Sequence, residues 1–402
     1  MPELADKSQC TGCTACASTC PQHCIQMKKD DTGFSFPEIM EQSACIACGA
    51  CERVCPVLVN KKDDGEPLTF AYAAFSKNDV LRIESSSGGI FSELAGIILQ
   101  LGGIIYGASY DDEGVVRHIG IENQKELGKL RGAKYSQSIL GECFQALKKQ
   151  LDSGRKVLFS GTPCQVAGLK AFLRGDYDNL VCIDFVCHGV PSPMVWEKYL
   201  QYRAQVDDSG MPPKHINLRN KESGWSHYSY SVEFAYADNK RYLCKNGDDP
   251  FMRFFVNDYI LRESCSDCHF KGYSRISDIT LGDFWGIWNI DPEMNSDKGT
   301  SLILTHSVKG ESMIEAIAEN IKFKQVTLEQ AASENPSLLK SSVHKLNRES
   351  VLKTIECEDF QAALPLFQEK QSKKQNMIEA IVGKVRGIRI LRQLGSGTRK
   401  LK

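Results

Sequence analysis

Cys10-Thr-Gly-Cys13-Thr-Ala-Cys16-Ala-Ser-Thr-Cys20-Pro21 and Cys45-Ile-Ala-Cys48-Gly-Ala-Cys51-Glu-Arg-Val-Cys55-Pro56 are one pattern written twice, C-x2-C-x2-C-x3-C-P. Three thiolates spaced two residues apart on a tight loop can wrap three corners of one iron–sulfur cubane, and the fourth cysteine then serves the other cluster. The arrangement gives Cys10, Cys13, Cys16 and Cys55 to one [4Fe-4S] cluster, and Cys45, Cys48, Cys51 and Cys20 to a second. Pro21 and Pro56 turn the chain away after the fourth cysteine, while Gly12 and Gly49 let backbone pass close to inorganic sulfide.

Two other chemistries use many cysteines. A disulfide framework belongs to exported chains, and Met1-Pro-Glu-Leu-Ala-Asp-Lys is polar and acidic rather than signal-like. Zinc sites show separated cysteine pairs rather than doubled three-cysteine runs. Cys24 falls outside the ligand spacing and reads as a small buried residue.

The chain has 402 residues, room for about two to three domains, and the cysteine runs use only residues 1–60. A formal net charge of −1 gives no electrostatic case for nucleic acid. Seventeen cysteines point to a reducing compartment, so a cytoplasmic location is expected. The apolar stretch 90–106 carries Glu93 and Gln100 and is split by Gly102-Gly103, which fits a helix followed by a strand better than a membrane span.

Residues 61–67 are charged and turn-rich, a linker between domains. Strands at 70–75, 104–109, 156–160 and 180–186 then alternate with helices at 90–101, 138–151, 165–173 and 194–205. That alternation predicts a parallel or mixed sheet covered by helices. Polar and aromatic alternation over 215–243 predicts an antiparallel hairpin pair added to this core. The fold class is therefore an α+β ferredoxin-like N-terminal domain followed by an α/β domain with a mixed sheet.

Loops at strand ends are where α/β sheets bind ligands. Gly161-Thr-Pro-Cys164, Cys187-His-Gly-Val-Pro-Ser and Cys265-Ser-Asp-Cys268 bring four cysteines to such edges. They are candidates for a third metal site, with zinc and iron–sulfur both able to use four thiolates; the other reading is buried loop thiols. Glu84-Ser-Ser-Ser-Gly88-Gly89 puts hydroxyls and glycines before a helix, either a phosphate cradle or a helix cap. Gly132-Ala-Lys134-Tyr135-Ser136-Gln-Ser138 offers a cation, a ring and hydroxyls, or is a polar loop.

These segments, together with Ser277-Asp-Ile-Thr-Leu-Gly-Asp283-Phe-Trp-Gly, stand in an order that resembles the coenzyme F-420 hydrogenase/dehydrogenase beta-subunit family over roughly residues 68–345. The resemblance implies a flavin-binding region at 68–152 and an α/β region at 153–345 holding a third [4Fe-4S] cluster on Cys164, Cys187, Cys265 and Cys268. It implies FAD, with Ser87, Gly88 and Gly89 at its phosphates and Lys134, Tyr135 and Ser136 near the isoalloxazine or ribityl chain. Asp283 becomes a flavin contact, a structural contact or a plain turn residue, and His188 a cluster or proton-relay neighbour or an ordinary loop histidine.

The implied activity is an oxidoreductase passing electrons between a one-electron carrier, ferredoxin or another redox subunit, and a deazaflavin or other small organic acceptor. The alternative is an electron-transfer subunit of a larger complex with no substrate of its own. Cys143, Cys182, Cys244 and Cys357 have no companion at ligand spacing and read as core or surface thiols. Residues 346–402 read as a helical basic tail, with apolar positions at helical spacing between Lys and Arg. That pattern suits weak contact with an anionic membrane surface, or a terminal helix docked on its own domain.

Overall fold

The computed structural model describes residues 2–40, 42–59, 69–226 and 229–367. Within the first 59 residues the two cysteine runs follow the same backbone path. Gly12 and Thr14 in one run, and Ala47 and Gly49 in the other, have φ of 69°, 64°, 51° and 65°. In each run the residues flanking the second cysteine are thus left-handed, and only one of the two is a glycine, the residue that takes this conformation without a Cβ penalty. Short helices Ala15–Thr19 and Ala50–Arg53 lie within the runs and carry Cys16 and Cys51, and β1 (Ile25–Lys29) pairs antiparallel with β2 (Ser35–Ile39).

Eleven strands follow: β3 (Phe70–Ser76), β4 (Ile104–Tyr110), β5 (Val116–Ile121), β6 (Val157–Ser160), β7 (Leu180–Phe185), β8 (His215–Asn220), β9 (Ser231–Ala235), β10 (Arg241–Lys245), β11 (Ile279–Asp283), β12 (Ser301–Thr305) and β13 (Ile321–Val326). Eight of them form one mixed sheet in the order β13-β3-β12-β11-β7-β6-β4-β5. Its centre, β4, β6, β7 and β11, is parallel, and antiparallel strands close both edges. Residues 68–152 and 153–345 contribute strands to this same sheet.

Alternation along β6 feeds two cores. Leu158 joins Leu94, Ile98 and Ile105 beneath helix Ile90–Gln100. Val157 and Phe159 join Phe144, Leu147 and Val166 of helices Cys143–Asp152 and Pro163–Leu173. Cys13, Ala15 and Val54 of the cysteine-rich domain lie in that second core, so the domain is packed into the body.

Two sequence expectations change in detail. The helix expected over 138–151 starts at Cys143, because Ile139 instead exchanges backbone hydrogen bonds with Val116 and His118 of edge strand β5. The expected hairpin pair is a separate three-stranded sheet, β10-β9-β8, that buries Phe234 against Trp196, Tyr199 and Phe251 rather than extending the main sheet. Helix Arg348–Cys357 packs Val351, Leu352 and Ile355 into the same aromatic core. The linker 61–67 and the basic helical pattern beyond residue 367 lie outside the described residues. Among the described residues no helix is long and apolar enough to cross a membrane.

Candidate functional site

The eight N-terminal cysteines line two recesses. Cys10, Cys13, Cys16 and Cys55 line one with an empty volume of about 410 Å³, walled by Leu4 and Val57. Cys20, Cys45 and Cys48 line the other, of about 340 Å³, and Cys51 borders both. This division matches the exchange of fourth ligands between the runs, and the apolar walls suit clusters whose thiolate ligands need shielding from water. The thiols of the first recess perturb one another: burial pushes Cys13 up to about 11, and Cys10 and Cys55 beside it push the same way. Of the eight cysteines Cys48, in the second recess, is the exposed one. Cys24 also borders it, buried, with its Sγ 3.5 Å from Cys20 Sγ.

A second thiol group lies against the first recess. Thr162 caps helix Pro163–Leu173 in a reciprocal box with Gln165, and this cap fixes Cys164 in the first turn. Two turns of backbone meet it from below: Gly189, just after Cys187, would place a Cβ 3.3 Å from Cys265 Cβ, and the Val190 N–H points at Cys265 Sγ from 3.5 Å. Cys268 is held through its N–H by Ser341 Oγ at 3.0 Å. Burial raises the Cys164 thiol, and Cys187, Cys268 and Cys13 nearby raise it further. Burial likewise pushes Cys187 and Cys265 up to about 12. Among the described residues no three Cys, His, Asp or Glu side chains converge tightly enough for a single metal ion.

Contact between the two groups is direct. Gly168, on the helix of Cys164, would place a Cβ 2.8 Å from Cys13 Cβ and 2.9 Å from its Sγ. Only a residue without a side chain permits that approach.

The Lys134–Ser138 segment joins both groups. Gln137 Nε2 donates to the Thr11 carbonyl at 3.0 Å, and Gln165 Nε2 donates to Ser138 Oγ at 2.9 Å. Lys134 Nζ donates to the Arg131 carbonyl at 2.7 Å, and burial pushes its ammonium down to about 7. Tyr135 packs on Phe255 with ring centres 4.7 Å apart and hydrogen-bonds the Arg219 guanidinium. Arg219 in turn pairs with Asp283 at 2.9 Å and covers the rings of Tyr230 and Trp285. Asp283 is therefore a structural contact for a buried arginine.

The serine-glycine turn is drawn to the same place. Trp225 Nε1 donates to the Ser86 carbonyl at 3.0 Å and stacks on Trp285 at 4.7 Å. Lys221 Nζ donates to the Arg82, Ser87 and Lys298 carbonyls, and burial pushes it down to about 7. Arg131 pairs with Glu84 and donates to Ser92 Oγ, tying the turn to the Lys134 segment. The Gly88 N–H, however, is committed to Ser301 Oγ at 2.9 Å, and a Cβ there would stand 2.5 Å from the Ala74 carbonyl. Gly88 is thus required by the seam between β3 and β12. Among the described residues Ser86 Oγ and the hydroxyl of Tyr110, whose ring lies under Lys134 Nζ, are buried without a hydrogen-bond partner.

His188 Nε2 lies 2.7 Å from Asp258, and its ring sits edge-on to Phe255, the ring on which Tyr135 packs. Arg219, Lys221, Trp225 and Arg262 carried no signature in the sequence. Each is an ordinary residue until its buried partner is known. Among the unmatched thiols Cys143 and Cys182 are buried and Cys357 is exposed.

Residues 154–331 match the family model that describes the C terminus of the coenzyme F420 hydrogenase/dehydrogenase beta subunit, and residues 9–59 match that of a 4Fe-4S dicluster domain. A chain from the F420-reducing [NiFe] hydrogenase complex of Methanosarcina barkeri is similar at 15% identity. The match covers 78% of this chain and 96% of that one, with a TM-score of 0.44. No curated protein matches in sequence.

Proposed function

We propose that the chain is a member of the coenzyme F420 hydrogenase/dehydrogenase beta-subunit family, a family of oxidoreductases, with a 4Fe-4S dicluster domain for electron transfer, because residues 154–331 and 9–59 match those two models. From that premise we propose that it is an iron–sulfur flavoprotein linking a one-electron carrier to a two-electron organic acceptor. In this reading Cys10, Cys13, Cys16 and Cys55 hold an inner cluster and Cys20, Cys45, Cys48 and Cys51 an outer one. Cys164, Cys187, Cys265 and Cys268 hold a third, and FAD lies along Lys134, Tyr135 and Ser136 with the turn of Ser87, Gly88 and Gly89. When bound, clusters supply one-electron exchange and flavin the conversion between one- and two-electron chemistry.

The observation that carries the reading is the convergence on residues 134–138. Gln137 touches the loop of Cys10 and Cys13, and Ser138 touches the helix of Cys164. Lys134, Tyr135 and Ser136 immediately precede these two contacts in the chain. The residues themselves have definable tasks. Lys134, with an ammonium near neutrality in its proton affinity, can carry a positive charge beside a reduced, anionic ring or release it. The Arg219–Asp283 pair fixes the Tyr135 hydroxyl, and Trp225 and Trp285 wall the region from water. Exposed Cys48 marks the side from which ferredoxin or another redox subunit delivers or takes single electrons. The acceptor is a deazaflavin coenzyme or another small organic molecule.

Anaerobically purified protein should hold about twelve irons, four for each of three cubanes. Cys265→Ser with Cys268→Ser should remove about a third of that iron and leave the two ferredoxin-type signals. Full retention of iron by the double variant would overturn the third cluster. Stoichiometric FAD, and turnover of an artificial donor by the isolated chain, are expected. Their absence would leave a subunit without a substrate of its own.

A further inference from the structure

Among the described residues Arg262 is the least exposed arginine or lysine, at 1%. Its backbone belongs to the body: the Arg262 carbonyl accepts the Cys265 N–H at 3.0 Å. Its guanidinium reaches into the cysteine-rich domain. Nε donates to the Cys10 carbonyl at 2.7 Å, and Nη2 donates to the Ser35 carbonyl at 3.1 Å and lies 3.7 Å from Cys10 Sγ. Nη1 donates to Gln137 Oε1 at 2.9 Å, and the group sits over the Phe36 ring at 4.2 Å. Among the described residues no Asp or Glu pairs with it.

A guanidinium removed from water without an anion is strongly disfavoured, and carbonyl dipoles and aromatic faces replace only part of its hydration. Within its reach lie the Cys265 thiol, which its charge also touches, and Cys10 Sγ, with Cys13, Cys16 and Cys55 grouped behind it. Resting on the reading that these four hold a cluster, we propose that Arg262 is that cluster's counterion and sets its reduction potential above that of the outer one. Uptake of one electron makes a cluster more negative. A fixed positive charge and an N–H aimed at a ligand sulfur therefore favour the reduced form. Burial keeps the interaction strong because little solvent screens it. Around the outer recess the corresponding cation, Arg53 beside Gly49, is exposed and screened. Electrons entering at Cys48 would then move downhill toward the body.

Arg262 is a positioning and potential-setting residue, and a potential is the readout that a purely structural role would not move selectively. The test is an anaerobic redox titration of the full chain, with dithionite as the one-electron donor and EPR detection. Arg262→Gln should lower one ferredoxin-type couple by about tenfold in its reduction equilibrium, or 59 mV for one electron, and leave the other unmoved. Arg262→Lys, which keeps the charge, should shift that couple less than Arg262→Gln does. Unchanged couples, equal shifts of both, or equal effects of Lys and Gln would overturn the proposal. Should Arg262→Gln lose ferredoxin iron, Gln137→Leu loosens the same guanidinium without removing charge or ligand. A smaller downward shift of the same couple is then expected, and no shift refutes the idea. A wild-type protein lacking two ferredoxin-type signals would instead refute the cluster reading on which it rests.

Discussion

Replacing Gly168 by alanine tests whether the ferredoxin domain and the body truly share their cysteines' packing. A Cβ at this position would stand 2.8 Å from Cys13 Cβ, 2.9 Å from Cys13 Sγ and 3.3 Å from the Cys13 carbonyl oxygen. Ordinary carbon contacts begin near 3.5 Å, so helix and cysteine must separate by roughly 0.6–1 Å. Cys13 has no room to retreat, being 8% exposed and packed with Ala15, Val54 and Phe159. Overpacking of this kind costs about 1–3 kcal/mol, offset by roughly 0.5–1 kcal/mol of helix propensity. Gly128, on helix Leu127–Leu130 with nothing within 4 Å of its Cβ position, receives the propensity gain without the clash. The difference between the two alanine variants, read from anaerobic denaturant midpoints, therefore isolates the contact at about 1–3 kcal/mol. The EPR signal of the inner ferredoxin cluster should change in Gly168→Ala and stay unchanged in Gly128→Ala. A Gly168→Ala protein as stable as the control, with an unaltered signal, would refute the direct contact on which the proposed relay depends.

Three further outcomes follow from buried groups. Burial pushes His118 down to about 4, whereas the unfolded chain protonates near 6.5. Below pH 6.5 the unfolded state takes up a proton that the folded state refuses, so stability present above 6.5 is lost as pH falls toward 4. His118→Gln should remove about 3 kcal/mol of that loss, and an unchanged pH slope of the denaturant midpoint would show the histidine to be solvated. Gly88→Ala drives a Cβ against the Ala74 carbonyl and, at 2.8 Å, the Ser301 nitrogen, and should cost about 3 kcal/mol. Flavin loss at full stability would contradict this and point to a ligand contact instead. Arg219→Leu leaves the Asp283 carboxylate without its partner and should cost about 3–5 kcal/mol, with much of it recovered in the double variant Arg219→Leu/Asp283→Leu. Additive losses in a double-mutant cycle would deny the pair.

What the sequence shows and what it hides divide by the range of the interaction. The cysteine runs are local, because ligand spacing is a property of eleven consecutive residues, and Thr14 and Ala47 take the left-handed conformation that glycine takes at Gly49 and Gly12. Strands β3, β4, β6 and β7 show through their apolar runs between helices of period 3.6. The position of β3 does not show. It lies between β12 and β13, more than two hundred residues later in the chain, and no local pattern encodes such a pairing. The four later cysteines were legible as residues at loop edges. Their convergence required knowing that Gly189 lies against Cys265 and Gly168 against Cys13. The serine-glycine turn shows the same division: its composition suggests a phosphate cradle, and the partner of its Gly88 N–H, Ser301, lies more than two hundred residues away in the chain.

Gly12 shows how closely cluster loop and domain docking are made from the same contacts. Its spacing suggests room for inorganic sulfide, but a Cβ there would meet Gln137 Nε2 at 2.7 Å and Arg262 Nη1 at 3.0 Å. The loop that carries Cys10 and Cys13 is therefore both a wall of the first recess and the surface on which the body closes. Arg262 Nη2 lies 3.7 Å from Cys10 Sγ, Gln137 donates to the Thr11 carbonyl, and the helix of Cys164 lays Gly168 flat against Cys13. Removing the inner cluster would leave a buried cation uncompensated at the centre of this interface. Loss of that cluster and release of the ferredoxin domain should then occur as one event rather than two.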